Sequence, residues 1–211
     1  MATTRRRERP ERHPTAQRLL DVVVAMLAER PVDQITVAQG LETSGVSRSS
    51  LYHHFEDFPD LVEHGIAARV AALNVAAAQV LDRLLSESID GSSFRARVFE
   101  LNQALHAKDR EEFRMLRVVS FALADRNPRF RATLARHQQE VTDSYERVLR
   151  TAADRGWLRP GVDPAAAAVL VQALTLGRVV DDISEHPIDP DAWTRLTATI
   201  LTDVLLMPAA D

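Results

Sequence analysis

The sequence predicts an all-α protein of about nine helices, on three observations. Aromatic residues make up only 5% of the 211 residues and glycine supplies only seven, a scarcity of strand and turn formers that argues against an all-β fold. No run alternates with period two, whereas apolar residues recur three and four positions apart. Asn127-Pro128, Asp163-Pro164 and Asp189-Pro190 each set a capping side chain directly before a proline. That is a helix start: the cap accepts orphan N–H groups, and proline at the first helical position loses no bond.

In chain order the expected helices run over 15–30, 36–43, 47–53, 58–85, 93–107, 110–124, 128–155, 164–184 and 190–206. The first carries Leu20, Val23, Val24 and Leu27 on one face. The second opens with Thr36-x-x-Gln39, a capping-box pattern. Ser44-Gly45-Val46 reads as a tight turn in which Gly45 supplies left-handed backbone, and Ser47 caps the third helix. A long helix plus two short ones joined by such a turn is a helix-turn-helix. Asp109, Glu111 and Glu112 suit the positive start of the sixth helix. Gly156 ends the seventh before Pro160.

Composition removes several function classes. Cysteine is absent, which excludes disulfides, Cys-based zinc sites and thiol nucleophiles, and fits a reducing cytoplasm. Asp21 and Glu29 bracket the apolar run Val22–Leu27, so no signal peptide is expected there. The uncharged run Pro164–Gly177 is shorter and more Ala-rich than a bilayer span requires, so no membrane partner is expected. There is no Gly-rich phosphate loop, HExxH or serine elbow, and an enzyme is not expected. No cofactor or metal is expected either. His137-x-x-Glu140 lacks partner motifs, and Asp181, Asp182, Glu185 and His186 read as a solvated acidic helix end rather than a cation site.

Net charge is −4, but its distribution is uneven. Residues 1–14 hold Arg5, Arg6, Arg7, Arg9 and Arg12 against Glu8 and Glu11, a basic and flexible arm. Residues 1–65 as a whole hold eight Arg and ten acids, a net of −2.

Ile35-Thr36-Val37, Ser44-Gly45-Val46-Ser47, Leu51-Tyr52-His53-His54-Phe55 and Leu61 together resemble the signature of the TetR family of bacterial transcriptional regulators. The resemblance covers about residues 15–65. It implies that the third helix enters the major groove of an operator. Arg48, Ser49 and His53 then read base edges, Arg48 being able to bond guanine bidentately. Thr36, Ser50, Tyr52 and His54, with the cap Ser47, stand where phosphates are held. Val46, Leu51 and Phe55 face the core. Two positions depart from the family pattern: Gly40-Leu41 where a large aliphatic and Ala are usual, and Phe58 where Lys is common. Arg5, Arg6 and Arg7 are the compensating contacts expected from the arm.

The expected organisation is a basic arm (1–14), a three-helix helix-turn-helix DNA-binding domain (15–65) and a helical-bundle ligand-binding and dimerisation domain (66–211). From Pro164 to Val180 the only charge is Arg178, so that helix should be buried on more than one side. A homodimer is expected through the helices near 164–184 and 190–206, by Leu170, Leu174, Gly177, Trp193, Leu196 and Ile200. A small, mostly apolar effector is expected in a cavity walled by Phe94, Phe113, Leu116, Phe121, Tyr145 and Trp157. Arg114 and Arg117, close on one helix, read as a solvated face. The leading function is a repressor released from a roughly palindromic operator by a small molecule, cytoplasmic and nucleoid-associated when bound. The competing readings are a helix-turn-helix-derived interaction module without DNA binding, and an activator or ligand-independent regulator.

Overall fold

The structure is a computed structural model, and residues 13–208 are described; the expected arm contacts Arg5, Arg6 and Arg7 lie outside them. Among the described residues all regular elements are helical, with one isolated antiparallel bridge between Leu158 and Leu206. The chain divides into two compact units, Met1–Arg69 and Val70–Asp211.

In the first unit α1 spans Pro14–Glu29, one residue longer at its start than expected, because His13 caps it: Nδ1 accepts the Thr15 N–H at 3.3 Å. Leu19, Leu20, Val23 and Leu27 are buried along its inner face. After a 3₁₀ turn at Val32–Gln34, α2 (Val37–Ser44) begins with the reciprocal capping box of Thr36 and Gln39. It stops at Gly45, whose φ of +64° is the left-handed conformation the turn demands. Ser47 then caps α3 (Arg48–His54), accepting the Ser50 N–H at 3.2 Å.

The long helix α4 (Phe58–Glu87) opens in this unit. Leu61 and Ile66 on α4 are fully buried, as are Val23 and Leu51. Gly65 permits the approach of α4 to α1: a Cβ there would stand 2.8 Å from Val23 Cγ1 and 3.0 Å from Leu27 Cδ1. Gly40 and Phe58, two separate oddities by sequence, form one packing unit. A Cβ on Gly40 would lie 3.1 Å from the Phe58 ring. The ring therefore takes the volume that a side chain at position 40 would need, and Leu41 is left half-buried rather than refilling it.

In the second unit, α4 is followed by α5 (Gly91–His106), α6 (Glu111–Arg126), α7 (Pro128–Asp154), α8 (Pro164–Gly177), α9 (Val179–Asp182) and α10 (Pro190–Thr199). The three Asx-Pro starts cap α7, α8 and α10. The fifth helix begins two residues earlier than expected because Asp90 and Ser93 form a capping box. The helix expected over 164–184 breaks after Gly177, and α9 is a separate turn. Past α10 the chain widens into a π turn, Ile200–Leu205, and closes against 157–159 through Arg159 N–H to Leu205 O and Met207 N–H to Trp157 O. The core of this unit gathers Leu81, Phe94, Val141, Val148, Ala168 and Leu201.

By length and composition α4 and the segment Pro164–Asp182 are apolar enough to cross a membrane. In this fold both are bundle helices, and the second carries a buried ion-pair cluster at its end, described below.

Gly65→Ala should destabilise the first unit by about 1–3 kcal/mol through overpacking, despite alanine's better helix propensity. Urea unfolding followed by circular dichroism measures it, and an unchanged midpoint would contradict the tight α1–α4 contact.

Candidate nucleic-acid interface and effector cavity

Helix α3 is amphipathic in the way a reading helix requires. Leu51 is fully buried, and Val46 and Phe55 are buried on either side of it. These fix the helix angle and leave Arg48, Ser49, Tyr52 and His53 exposed, with Ser50 and His54 partly so. Tyr52 keeps 52% of its surface accessible, which no core role explains. The start of α3 is a hydroxyl cluster: Ser47 Oγ lies 3.0 Å from Ser49 Oγ and 2.9 Å from Ser50 Oγ. Together with the exposed α3 amides these suit an anionic oxygen.

Three histidines meet beside this surface, an arrangement the sequence reading missed because His13 is distant in the chain. His54 stacks on His13, ring centroids 4.8 Å apart, and meets His53 edge-on at 4.8 Å. Partial burial and then the His13 and His53 charges hold the His54 pKa below its ordinary value. The free face is therefore less positive than three imidazoles in water would be.

In the second unit a cavity of about 160 Å³ lies between α4, α5, α6, α7 and α8. Of the expected wall residues it is lined by Phe113 and Tyr145. Phe94 and Tyr145 border a smaller apolar space of about 50 Å³. Leu116 is buried off both walls, Phe121 is exposed, and Trp157 packs on Phe94 with ring centroids 5.3 Å apart. Those three face away because the cavity lies against the Arg110–Phe113–Arg114–Arg117 stripe of α6 and the turn before it.

That stripe corrects the solvated-face reading of the two arginines. Arg114 is 2% exposed and holds Asp182 with two bonds, Nε to Oδ2 at 2.5 Å and Nη2 to Oδ1 at 2.7 Å. Arg178 lies 3.3 Å from Asp181 and 3.8 Å from Asp182. Asp181 and Asp182 are thus counter-ions of buried arginines, neither a solvated helix end nor a cation site. His106, beside them, is pushed down to about 4 by burial and by the Arg114 and Arg178 charges. It stays neutral at physiological pH, and its Nδ1 accepts the Trp193 indole N–H at 3.1 Å.

Arg117 is different. Its Nη2 donates to neutral Gln138 Oε1 at 2.6 Å, and its guanidinium lies 5.6 Å from the Phe121 ring centroid and 6.0 Å from that of Phe113. Among the described residues no carboxylate oxygen lies within 4.0 Å of it.

On the outside of the second unit apolar residues are left uncovered. Of the expected interface residues, Leu170, Gly177 and Leu196 are exposed, and Ile200 is half-buried. Leu174 packs against the core and Trp193 is engaged by His106, so both are largely spent within the protomer. Val169, Val180, Ile183 and Val204 add exposed apolar surface that the sequence reading did not single out.

Residues 117–195 match the family model described as tetracyclin repressor-like, C-terminal domain. No curated protein matches the chain. Among solved structures, the chain is similar to a putative TetR-family transcriptional regulator from Mesorhizobium loti, at 16% identity and a TM-score of 0.68, over 92% of this chain and 97% of that one. It is similar to a putative transcriptional regulator from Saccharomonospora viridis in complex with choline, at 16% identity and a TM-score of 0.65, over 92% and 98%. It is also similar to SmeT, the repressor of the Stenotrophomonas maltophilia multidrug efflux pump SmeDEF, at 22% identity and a TM-score of 0.59, over 92% and 91%. Residues 117–195 thus carry a tetracyclin repressor-like C-terminal domain, and the chain shares its fold with the putative TetR-family regulator from Mesorhizobium loti.

Proposed function

We propose that the protein is a homodimeric, sequence-specific transcriptional repressor of the bacterial cytoplasm, released from a roughly palindromic operator by a small molecule. The observation that carries this reading is the division of α3. Its buried side anchors a surface on which Arg48, Ser49, Tyr52 and His53 are all exposed. Arg48, Ser49 and His53 are the base-reading groups, and Thr36, Ser47, Ser50, Tyr52 and His54 the phosphate-holding ones. With residues 1–65 at net −2, binding depends on this local patch and on the Arg5–Arg7 arm, with a shallow salt dependence set by few phosphate contacts.

The uncovered apolar residues of α8, α9 and α10 support a dimer, because a single protomer rarely leaves that much contiguous chain apolar and wet. A dimer also supplies the second recognition helix that a two-half-site operator needs. The cavity supports an effector, as does the choline complex of the S. viridis relative. Helix α4 spans Phe58–Glu87 and contributes residues from Leu73 to Leu81 to the cavity wall, so it is the element through which we propose that a ligand acts. By linkage, operator and effector weaken each other equally.

In a gel-shift assay with DNA flanking its own gene, Arg48→Ala should weaken specific binding by about 1–3 kcal/mol while leaving nonspecific binding nearly intact. Equal and weak binding by both proteins would favour the interaction-module reading. Leu196→Glu should convert the dimer to a monomer in light scattering and lower operator affinity at least about tenfold, since one protomer supplies one half-site contact; an unchanged mass would exclude this face. Affinity should also rise as pH falls from about 8 to 6. His54 is depressed in the free protein, a bound phosphate raises it again, and binding then takes up a proton. His54→Gln should flatten that slope in fluorescence-anisotropy titrations.

A further inference from the structure

The walls of the effector cavity are unequal in charge. Three arginines line it, Arg110, Arg114 and Arg117, at helical spacing along one side, and among the described residues no Asp or Glu does. Arg114 is neutralised by its two bonds to Asp182, leaving only a buried Nη1 without a partner. Arg110 is exposed. Arg117 is the cation that faces the cavity with one hydrogen bond, to a neutral amide. That amide is itself held: Gln138 Nε2 donates to Gln172 Oε1 at 2.7 Å, and Gln172 Nε2 donates to Thr142 Oγ1 at 3.1 Å. The network fixes Arg117 in place without balancing its charge.

A partly desolvated guanidinium without a counter-ion is unfavourable, and a carboxylate is the group that fits its planar fork. Burial already pulls Arg117 below its ordinary pKa, and the same burial pushes the Tyr145 hydroxyl up, so that it remains a hydrogen-bond donor. Opposite this polar corner the lining is Leu73, Val80, Leu101 and Leu105.

We infer that the effector is a small amphipathic monocarboxylate, its head on Arg117 and Tyr145 and its apolar body against the α4 and α5 leucines. This rests on the effector-cavity reading above and names its chemistry. Size narrows the class. A volume near 160 Å³ is close to the roughly 150 Å³ apolar cavity known to hold a benzene ring. The body is therefore one ring or a short branched chain. A phosphate dianion fits less well, because, of the other two lining arginines, Arg114 is already bound by Asp182 and Arg110 is exposed.

The test is isothermal titration of the full chain with benzoate and phenylacetate against their neutral amides, benzamide and phenylacetamide. The acids should bind at least tenfold more tightly than the amides. Arg117→Gln should abolish that preference, Arg117→Lys should retain part of it, and Tyr145→Phe should weaken the acids several-fold with the amides unchanged. Melting curves of each variant establish that it folds. Amides binding as tightly as acids, an acid preference surviving in Arg117→Gln, or no binding by any of the four compounds would overturn the inference. Release of bound DNA is measured separately by anisotropy. Acids that bind selectively yet leave the DNA complex intact would uphold the carboxylate site and sink ligand-induced release; amides that bind and release DNA would do the reverse.

Discussion

The second unit is organised by the bidentate pair between Arg114 and Asp182. Both partners are almost wholly buried, so neither tolerates loss of the other: an uncompensated charge at such a site costs several kcal/mol. The pair ties α6 to the short α9, and α9 exists as a separate turn because the chain breaks after Gly177. Arg178 enters the same cluster, and burial first, then the Arg114 and Arg178 charges, keep His106 neutral, its Nδ1 accepting the Trp193 N–H. While the Trp193–His106 hydrogen bond joins α10 to α5, the Arg114–Asp182 pair joins α6 to α9. By occupying Arg114 it also leaves Arg117 as the cation of the cavity.

The first unit rests on a different constraint, the close passage of helices at glycine. Gly65 lets α4 lie against Val23 and Leu27 of α1, and Gly40 lets the Phe58 ring lie against α2. Gly40 and Phe58, the two departures from the family pattern that the sequence resembles, thus meet in one packing contact between α2 and α4. The helix weakness of Gly40, about 1 kcal/mol by propensity, is offset by that aromatic contact. The histidine cluster lies on the same unit, and His13 both caps α1 and stacks on His54. The start of α1 and the end of α3 are therefore linked by one imidazole.

Much of this was legible in the sequence, for a local reason. Asn127, Asp163 and Asp189 cap helices because the groups they satisfy lie two or three residues away. Thr36–Gln39 and Gly45 are likewise short-range, and so is the alternation of Leu51 with Arg48, Ser49 and Tyr52 around α3. Long-range pairings were not legible. Arg114 and Asp182 are 68 residues apart, and a charged residue on a helix reads as solvated until its partner is known. The same holds for Gly40 with Phe58 and for His13 with His54. Aromatic content was a poor guide to the cavity. Phe121 and Trp157 have the right character and the wrong direction, and the wall is set instead by the smaller residues of α4 and by the arginine stripe.

Charge and apolar surface are distributed among the described residues against the usual order. In the second unit arginines lie inside, while valine, leucine and isoleucine of α8 to α10 lie outside. In the first unit hydroxyls, imidazoles and Arg48 crowd one exposed helix whose domain is otherwise acidic. A chain that folded for its own stability alone would bury Leu196 and Val180 and expose Arg114. On the proposed function, a second protomer would cover the apolar area, phosphates and base edges would meet the α3 donors, and an anion would meet the Arg117 charge.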